Sequence, residues 1–297
     1  MRIACIGEAM VELSLEGPDS DRARLGFAGD VLNTAIYLKR QAPELQVDFV
    51  TRLGRDAFSA RMQDFIASEG IGTGAITFSK SRNVGLYAIS TDALGERSFT
   101  YWRDTSAARE MFQADKGADF SALDGYEVIY LSAITLAILP AQIRSDLCSY
   151  LGDLRQKGGR VSFDSNYRPL LWPDRTTAQA AITAMWESCD LALPSVDDEM
   201  AIFGDPDAAS VITRLQTCGI AEGALKQGPE GPLSLGDPVD ATYRPAETVI
   251  DTTAAGDSFN AGYLAAILTG KSQADALQSG HDLAAKVVGV KGAIAPR

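Results

Sequence analysis

The stretch Asp251-Thr-Thr-Ala-Ala-Gly-Asp257-Ser-Phe-Asn-Ala-Gly262 joins small residues, a turn and a carboxylate at the opening of an apolar helical run. The first turn of a helix leaves backbone N–H groups without intrahelical partners, and the macrodipole adds positive potential there. Ala254, Ala255 and Gly256 carry little or no side chain to block an anion, so the opening predicts a phosphate cradle. Asp257 falls in the first turn, beside that cradle. Phosphoryl transfer to a hydroxyl needs amides that hold the transferring group and a carboxylate that accepts the proton. The plainer reading is an acidic residue that complements the dipole of a tightly packed helix start.

Other residues fit the same chemistry. Arg168 follows Asp164-Ser165-Asn166-Tyr at the end of an apolar strand. An arginine there can hold a carboxylate or phosphate through two parallel hydrogen bonds, or simply pair with Asp164. Phe99, Tyr101 and Arg103 alternate along a short strand and so share a face, with Trp102 on the other. With Tyr87 they offer an aromatic floor and a guanidinium. The formal net charge is −12, which repels anions except where arginines gather. Arg103 and Arg168 in one cleft would therefore select an acidic substrate over a neutral one. Ser195-Val-Asp197-Asp198-Glu199 opens a helix with carboxylates that suit Mg²⁺ and its waters, or that merely complement the helix start. Lys226-Gln-Gly228-Pro-Glu-Gly231 is a glycine-rich turn at a strand end, and Gly29-Asp30-Val-Leu-Asn33 opens a helix with Asp30 as its expected N-cap. His281, the single histidine, reads as structural. Thr269-Gly270-Lys271-Ser272 imitates the tail of a P-loop, but the earlier glycine of that motif would fall at Ala265, inside a helix. Gly270 reads as a helix stop.

These residues need a frame. Ile3–Ile6, Val47–Leu53, Val128–Leu131, Val161–Asp164, Leu191–Leu193 and Ala224–Lys226 read as strands, and amphipathic stretches at 31–41, 56–69, 140–157, 176–188 and 207–218 lie between them. The alternation predicts a mostly parallel sheet with helices on both faces, an α/β three-layer sandwich. Without repeats or low-complexity linkers, residues 1–297 form a single domain. Val84–Ser90 and Arg97–Arg103 break the pattern. No helix separates them, so they predict an antiparallel hairpin through 91–96, outside the main sheet. Residues 10–28 add short strands, giving a small β lid from 10–28 and 84–104. Open α/β sheets bind ligands beyond the carboxyl ends of their strands. Gly7-Glu8, Gly54-Arg55, Ser132, Asp164–Asn166, Pro194-Ser195, Lys226–Gly228 and Asp251–Asp257 are expected to gather at that rim.

Composition narrows the classes. Hydrophobic residues make up 46% and charged residues 22%, as in ordinary soluble proteins. No apolar run reaches about 18 residues, and Met-Arg-Ile leads straight into a strand, so neither a membrane span nor a secretory leader is expected. Cys5, Cys148, Cys189 and Cys218 are scattered, which argues against a zinc site or disulfide framework and fits a reducing cytoplasm. The acidic surface argues against nucleic acid as a partner.

The Asp251–Asp257 segment resembles the second signature of the ribokinase/PfkB family of sugar kinases, whose usual core is Gly-Ala-Gly-Asp; here Ala254 stands for the first glycine. Gly29-Asp-Val-Leu-Asn33, Gly95-Glu-Arg-Ser-Phe-Thr-Tyr-Trp-Arg103, Asp164-Ser-Asn-Tyr-Arg168-Pro and Gly292-Ala-Ile-Ala-Pro-Arg297 resemble the branch that acts on sugar acids. The resemblance implies a ribokinase-like fold and ATP-dependent phosphorylation of 2-dehydro-3-deoxy-D-gluconate at its 6-hydroxyl, with Asp257 as general base. It implies that amides of Ala254, Ala255, Gly256 and Asp257 stabilise the transferring group. Gly29, Asn33, Tyr87, Tyr101, Arg103 and Arg168 would hold substrate. Ser165, Asn166, Arg168, Lys226, Gly228, Gly231 and Gly256 would hold ATP. Asp198 or Glu199 would organise Mg²⁺ through water, and a K⁺ ion is suggested at Asp251 and Thr253. A homo-oligomer through the lid is a further expectation. The alternatives are a fructokinase or another sugar kinase of the family, and a non-catalytic sugar- or nucleotide-binding regulator.

Overall fold

The computed structural model describes residues 1–17, 20–91 and 97–297. The turn expected at 92–96, with Gly95 and Glu96 of the hairpin motif, lies outside the described residues. A five-stranded parallel sheet runs in the order Leu191–Ala192, Arg160–Asp164, Val128–Ser132, Arg2–Ile6, Gln46–Val50. Ile3, Ala4, Cys5 and Ile6 are all fully buried, as a strand covered on both faces requires. Alternate side chains feed two separate cores. Ile3, Cys5, Val128 and Tyr130 pack with the helices Asp30–Gln41, Ala57–Ser68, Ala255–Leu268 and Gln273–Val287. Ala4, Ile6, Ile129 and Leu131 pack with Ala141–Gln156, Arg175–Glu187 and Ala208–Thr217. This is the ribokinase-like three-layer α/β sandwich. Among the described residues no helix is long and apolar enough to cross a membrane.

Two expected strands differ. Val47–Leu53 divides into Gln46–Val50, in the main sheet, and Arg52–Leu53, which pairs with Thr77–Phe78 in a separate two-stranded sheet. Ala224–Leu225 pairs antiparallel with Leu233–Ser234 and meets the main sheet only through isolated parallel bridges, Ala192 to Gly223 and Ser195 to Lys226. The left-handed turn at Gly228 (φ 57) follows at once and leaves little chain for a ladder.

A second sheet of four strands has the order Ala23–Ala28, Met10–Leu15, Gly85–Thr91, Arg97–Trp102. The last two are antiparallel, as the missing helix between them required. On one face Met10, Tyr87 and Ile89 form a small core with Ala28 and Ala293, and Ala254 packs against it. On the other, Val11 joins the main core, and Phe27 meets Phe65 at 5.5 Å between ring centroids.

The strand order puts a switch point between Val128–Ser132 and Arg2–Ile6, whose onward connections run to opposite sides. Gly7-Glu8 leaves the sheet there beside Ser132. The helix starts at Asp30 and Ala255 close over the same crevice, because Asp30 bonds Ser132 and Thr34 bonds the Asp257 carbonyl.

Candidate active site

The Ala255–Leu268 helix opens on Ala254, whose φ of 62° is left-handed. That geometry explains why the family signature carries glycine here. The Ala255 N–H turns back to the Thr252 carbonyl at 3.2 Å, so it does not face an anion as expected. Among the described residues the N–H groups of Gly256 and Asp257 have no protein partner. A Cβ at residue 256 would lie 3.7 Å from Lys226 Nζ, so the ammonium sits against the cradle. Lys226 is buried and donates to Asp164 Oδ2 at 2.8 Å and Asn260 Oδ1 at 3.0 Å.

Asn33 Nδ2 donates to Asp257 Oδ2 at 2.8 Å, and Thr34 Oγ1 donates to the Asp257 carbonyl at 3.1 Å. The first helix of the sandwich is thereby fastened to the cradle. A Cβ at Gly29 would meet the Glu8 carbonyl oxygen at 2.2 Å, so glycine is required where the chain passes so close. Asp30 does not cap that helix. Gly29 is the N-cap residue and makes no side-chain cap. The Asp30 carboxylate instead accepts from Ser132 Oγ at 2.5 Å and Asn166 Nδ2 at 2.8 Å. Asn166 takes a φ of 23°, and Ser165 beside it is buried.

Burial pushes the Asp257 carboxyl up to about 7; the Asp30 and Asp164 charges add to this, while Asn33 and Lys226 oppose it. A carboxylate so placed is a base matched to neutral pH. Asp198 is raised to about 6 by burial and by Asp164, against Arg168 and Lys226. Glu199 is raised to about 7 by burial, against Arg214. The two neighbours part here. Glu199 is fully buried on Arg214 at 2.8 Å, which also holds Asp205. Asp198 shares the surroundings of Asp164 and Lys226. Among the described residues no group of three His, Cys, Asp or Glu side chains could cage a metal. Mg²⁺ is usually held by one or two carboxylates with water and phosphate, and Asp198 fits that use.

The residues expected to hold an acid are arranged less openly than the sequence suggested. Arg103 is buried and bonded to Glu8: Nε donates to Oε2 at 2.9 Å, and Nη2 donates to the same oxygen. A guanidinium taken out of water requires such a partner. Glu8 Oε1 is buried and, among the described residues, has no partner. Arg168 is about half exposed; its Nη1 donates to the Tyr167 carbonyl and lies 3.8 Å from Asp198. The plainer pairing with Asp164 does not form, because Asp164 is bonded to Lys226. Arg103 and Arg168 share no partner among the described residues. Tyr87, Phe99 and Tyr101 do share a face, with the Tyr87 and Tyr101 rings 5.7 Å apart. The Tyr87 hydroxyl donates to Glu12.

The glycine turn after Lys226 uses left-handed Gly228 and Gly231 (φ 88°) around a 3-10 turn. Asp251 and Thr253 are engaged by Arg97, whose Nη2 donates to Asp251 Oδ2 at 2.8 Å and Nη1 to Thr253 Oγ1 at 3.1 Å. His281 Nε2 donates to the Arg244 carbonyl at 2.7 Å, a structural bond. Gly270 ends its helix at a φ of 83°. Burial raises the thiols of Cys5 and Cys189, as packing residues.

Sequence reasoning placed Glu8 at the rim without its pairing to Arg103, and missed Glu12, Arg97 and Asn260. Glu8 stands two residues beyond the end of the first strand, the position a crevice uses. Arg97 continues the alternation of Phe99, Tyr101 and Arg103, and Asn260 stands one helical turn beyond Asp257.

A switch-point crevice, open amides at a helix start and a half-buried carboxyl raised to about 7 beside them define a phosphotransferase of the sugar-kinase kind. The chain belongs to the PfkB family: the description "pfkB family carbohydrate kinase" matches residues 1–297. It is 43% identical over 305 residues to the 2-dehydro-3-deoxygluconokinase of Escherichia coli strain K12, covering 100% of this chain and 97% of that protein. The structure of 2-dehydro-3-deoxygluconokinase from Thermotoga maritima superposes with a TM-score of 0.86 at 20% identity, over 99% of this chain and 94% of the other. Fructokinase from Xylella fastidiosa, solved with bound ATP, gives a TM-score of 0.83 at 21% identity, over 98% and 93%. At these identities the two structures establish the shared fold.

Proposed function

We propose that this chain transfers the γ-phosphoryl group of ATP to the 6-hydroxyl of 2-dehydro-3-deoxy-D-gluconate. The observation that carries the chemistry is the half-buried Asp257 carboxylate, bonded by Asn33 and standing beside the open amides of Gly256 and Asp257. Full-length identity of 43% to a 2-dehydro-3-deoxygluconokinase supports the choice of substrate.

Asp257 accepts the proton of the attacking hydroxyl, with Asn33 fixing its direction. The two amides and Lys226 stabilise charge on the transferring group. Ser165, Asn166, Arg168, Gly228 and Gly231 line the nucleotide side, and Asp198 rather than Glu199 orders the waters of Mg²⁺. When bound, Mg²⁺ neutralises phosphate charge. Gly29, Asn33, Tyr87 and Tyr101 position substrate hydroxyls. Arg103 meets the acid end with Nη1, the nitrogen that Glu8 leaves unbonded among the described residues. The small sheet acts as a lid that excludes water.

A neutral ketose is the second reading, favoured by the Glu8–Arg103 pair, which cancels one charge of the acid clamp. Phosphorus NMR of a reaction with Mg·ATP separates the readings. The acid substrate should yield ADP and one phosphate ester on C6, and fructose little or none. Ester from fructose alone would install the second reading. No ester from acid, epimer, fructose or ribose would leave a binding protein without turnover.

A further inference from the structure

Asp251 lies at the start of the loop that leads into the cradle, and its carboxylate is buried. Four N–H donors converge on it: Arg97 Nη1 at 2.5 Å, Arg97 Nη2 at 2.8 Å, the Thr253 amide at 3.0 Å and the Gly292 amide at 2.6 Å. Thr253 Oγ1 also accepts from Arg97 Nη1, at 3.1 Å. An alkali ion needs oxygen lone pairs turned toward it. Here those oxygens already face N–H groups, so the donor set does not fit the K⁺ ion suggested at Asp251 and Thr253.

We propose that the Arg97 guanidinium takes the place of a monovalent metal ion at this loop and acts as a positioning residue for the cradle. Arg97 is on the outer strand of the small sheet, and Ala254, just after the bonded residues, packs on the same sheet. The left-handed Ala254 then sets the direction of the Gly256 and Asp257 amides. One side chain thus supplies the positive charge that Asp251 requires and ties the sheet over the site to the helix start beneath it. Burial would raise the Asp251 carboxyl; the bonds from Arg97, Gly292 and Thr253 outweigh it and hold the group well below the usual carboxylate range. A cavity of about 260 Å³ borders Arg97, Asp251 and Thr253, so a small cation has access once the side chain is shortened.

The turnover arm of the test rests on the proposed kinase reaction; the stability arm does not. Wild type, Arg97→Met and Arg97→Lys are compared at fixed ionic strength in tetramethylammonium chloride and in KCl. Wild-type kcat should differ by less than about 2-fold between the salts. Arg97→Met should lose about 10-fold or more in kcat through misplacement of the amides, with KM for the sugar acid little changed. KCl or guanidinium chloride should restore part of that loss, and Arg97→Lys should retain more. The thermal midpoint of Arg97→Met, but not of wild type, should be higher in KCl. Several-fold activation of wild type by K⁺, or a rise in its midpoint with K⁺, would overturn the proposal, as would full turnover by Arg97→Met. If the sugar acid is not phosphorylated, the kinase reading fails and the midpoints alone decide. If Arg97→Met does not fold, the wild-type and Arg97→Lys arms decide.

Discussion

The two ends of the crevice treat buried charge differently. Asp257 is half-buried at the helix start with an amide, Asn33, as its side-chain partner, while Lys226 is bonded to Asp164 and Asn260. Arg103 is buried under the small sheet, and Glu8 is bonded to it directly. A carboxylate with no direct ion pair changes its protonation readily, and proton transfer needs that. A charge bonded to its counterion stays ionised and fixed in direction, which serves recognition and packing. The cradle is therefore built to react and the sheet to hold.

Replacing the reactive charge should give the largest effect. Asp257→Asn should lower kcat by about 10²-fold or more, the scale of a lost general base, when ADP release is measured at pH 8. The same variant should unfold at a higher temperature than wild type at pH 8, because a desolvated carboxylate with no direct ion pair is gone.

The pH dependence sharpens the contrast. Asp257 must be deprotonated to act, so kcat should fall as pH drops through about 7. Stability runs the other way. The folded-state value lies above that of an unfolded carboxyl, so the native state binds the extra proton. This group's stabilisation is complete below the unfolded value and is lost as pH rises through about 7. The midpoint advantage of Asp257→Asn should therefore shrink from pH 8 to pH 5. A constant difference across that range would assign the raised value to another group.

At the holding end, Arg103→Met strands the Glu8 carboxylate and should cost about 3–5 kcal/mol of stability. In whatever folds, kcat/KM for the sugar acid should fall about tenfold relative to fructose, the worth of a hydrogen bond to a charged group. Equal losses on both substrates would remove Arg103 from acid recognition. The smallest effect is expected at Ala254→Gly. Relief of the left-handed conformation is offset by the freer unfolded chain, for a net gain of up to about 1 kcal/mol, readable by denaturant titration.

What the sequence made legible follows from the range of the forces involved. The parallel strands and their covering helices are written in local apolar patterning, and both cores appear where the alternation of Ile3, Ala4, Cys5 and Ile6 puts them. Asp257 and its cradle are local too, since one helix start contains them. The two-residue strand at Ala224 was harder, because a glycine turn cut it short. The pairings of Glu8 with Arg103 and of Arg97 with Asp251 span 95 and 154 residues. They depend on how the small sheet settles on the sandwich, and no periodicity encodes that. Asp30 looked like a helix cap because its neighbours suggest one; two distant hydrogen bonds decide otherwise.

The most direct test is the ratio of wild-type kcat/KM for 2-dehydro-3-deoxy-D-gluconate to that for fructose, measured with Mg·ATP at pH 8. A cradle that reacts joined to an arginine end that holds an acid predicts a ratio of at least about 10, the worth of one hydrogen bond to a charged group. A ratio near or below one would contradict the acid clamp and leave the cradle serving a neutral sugar.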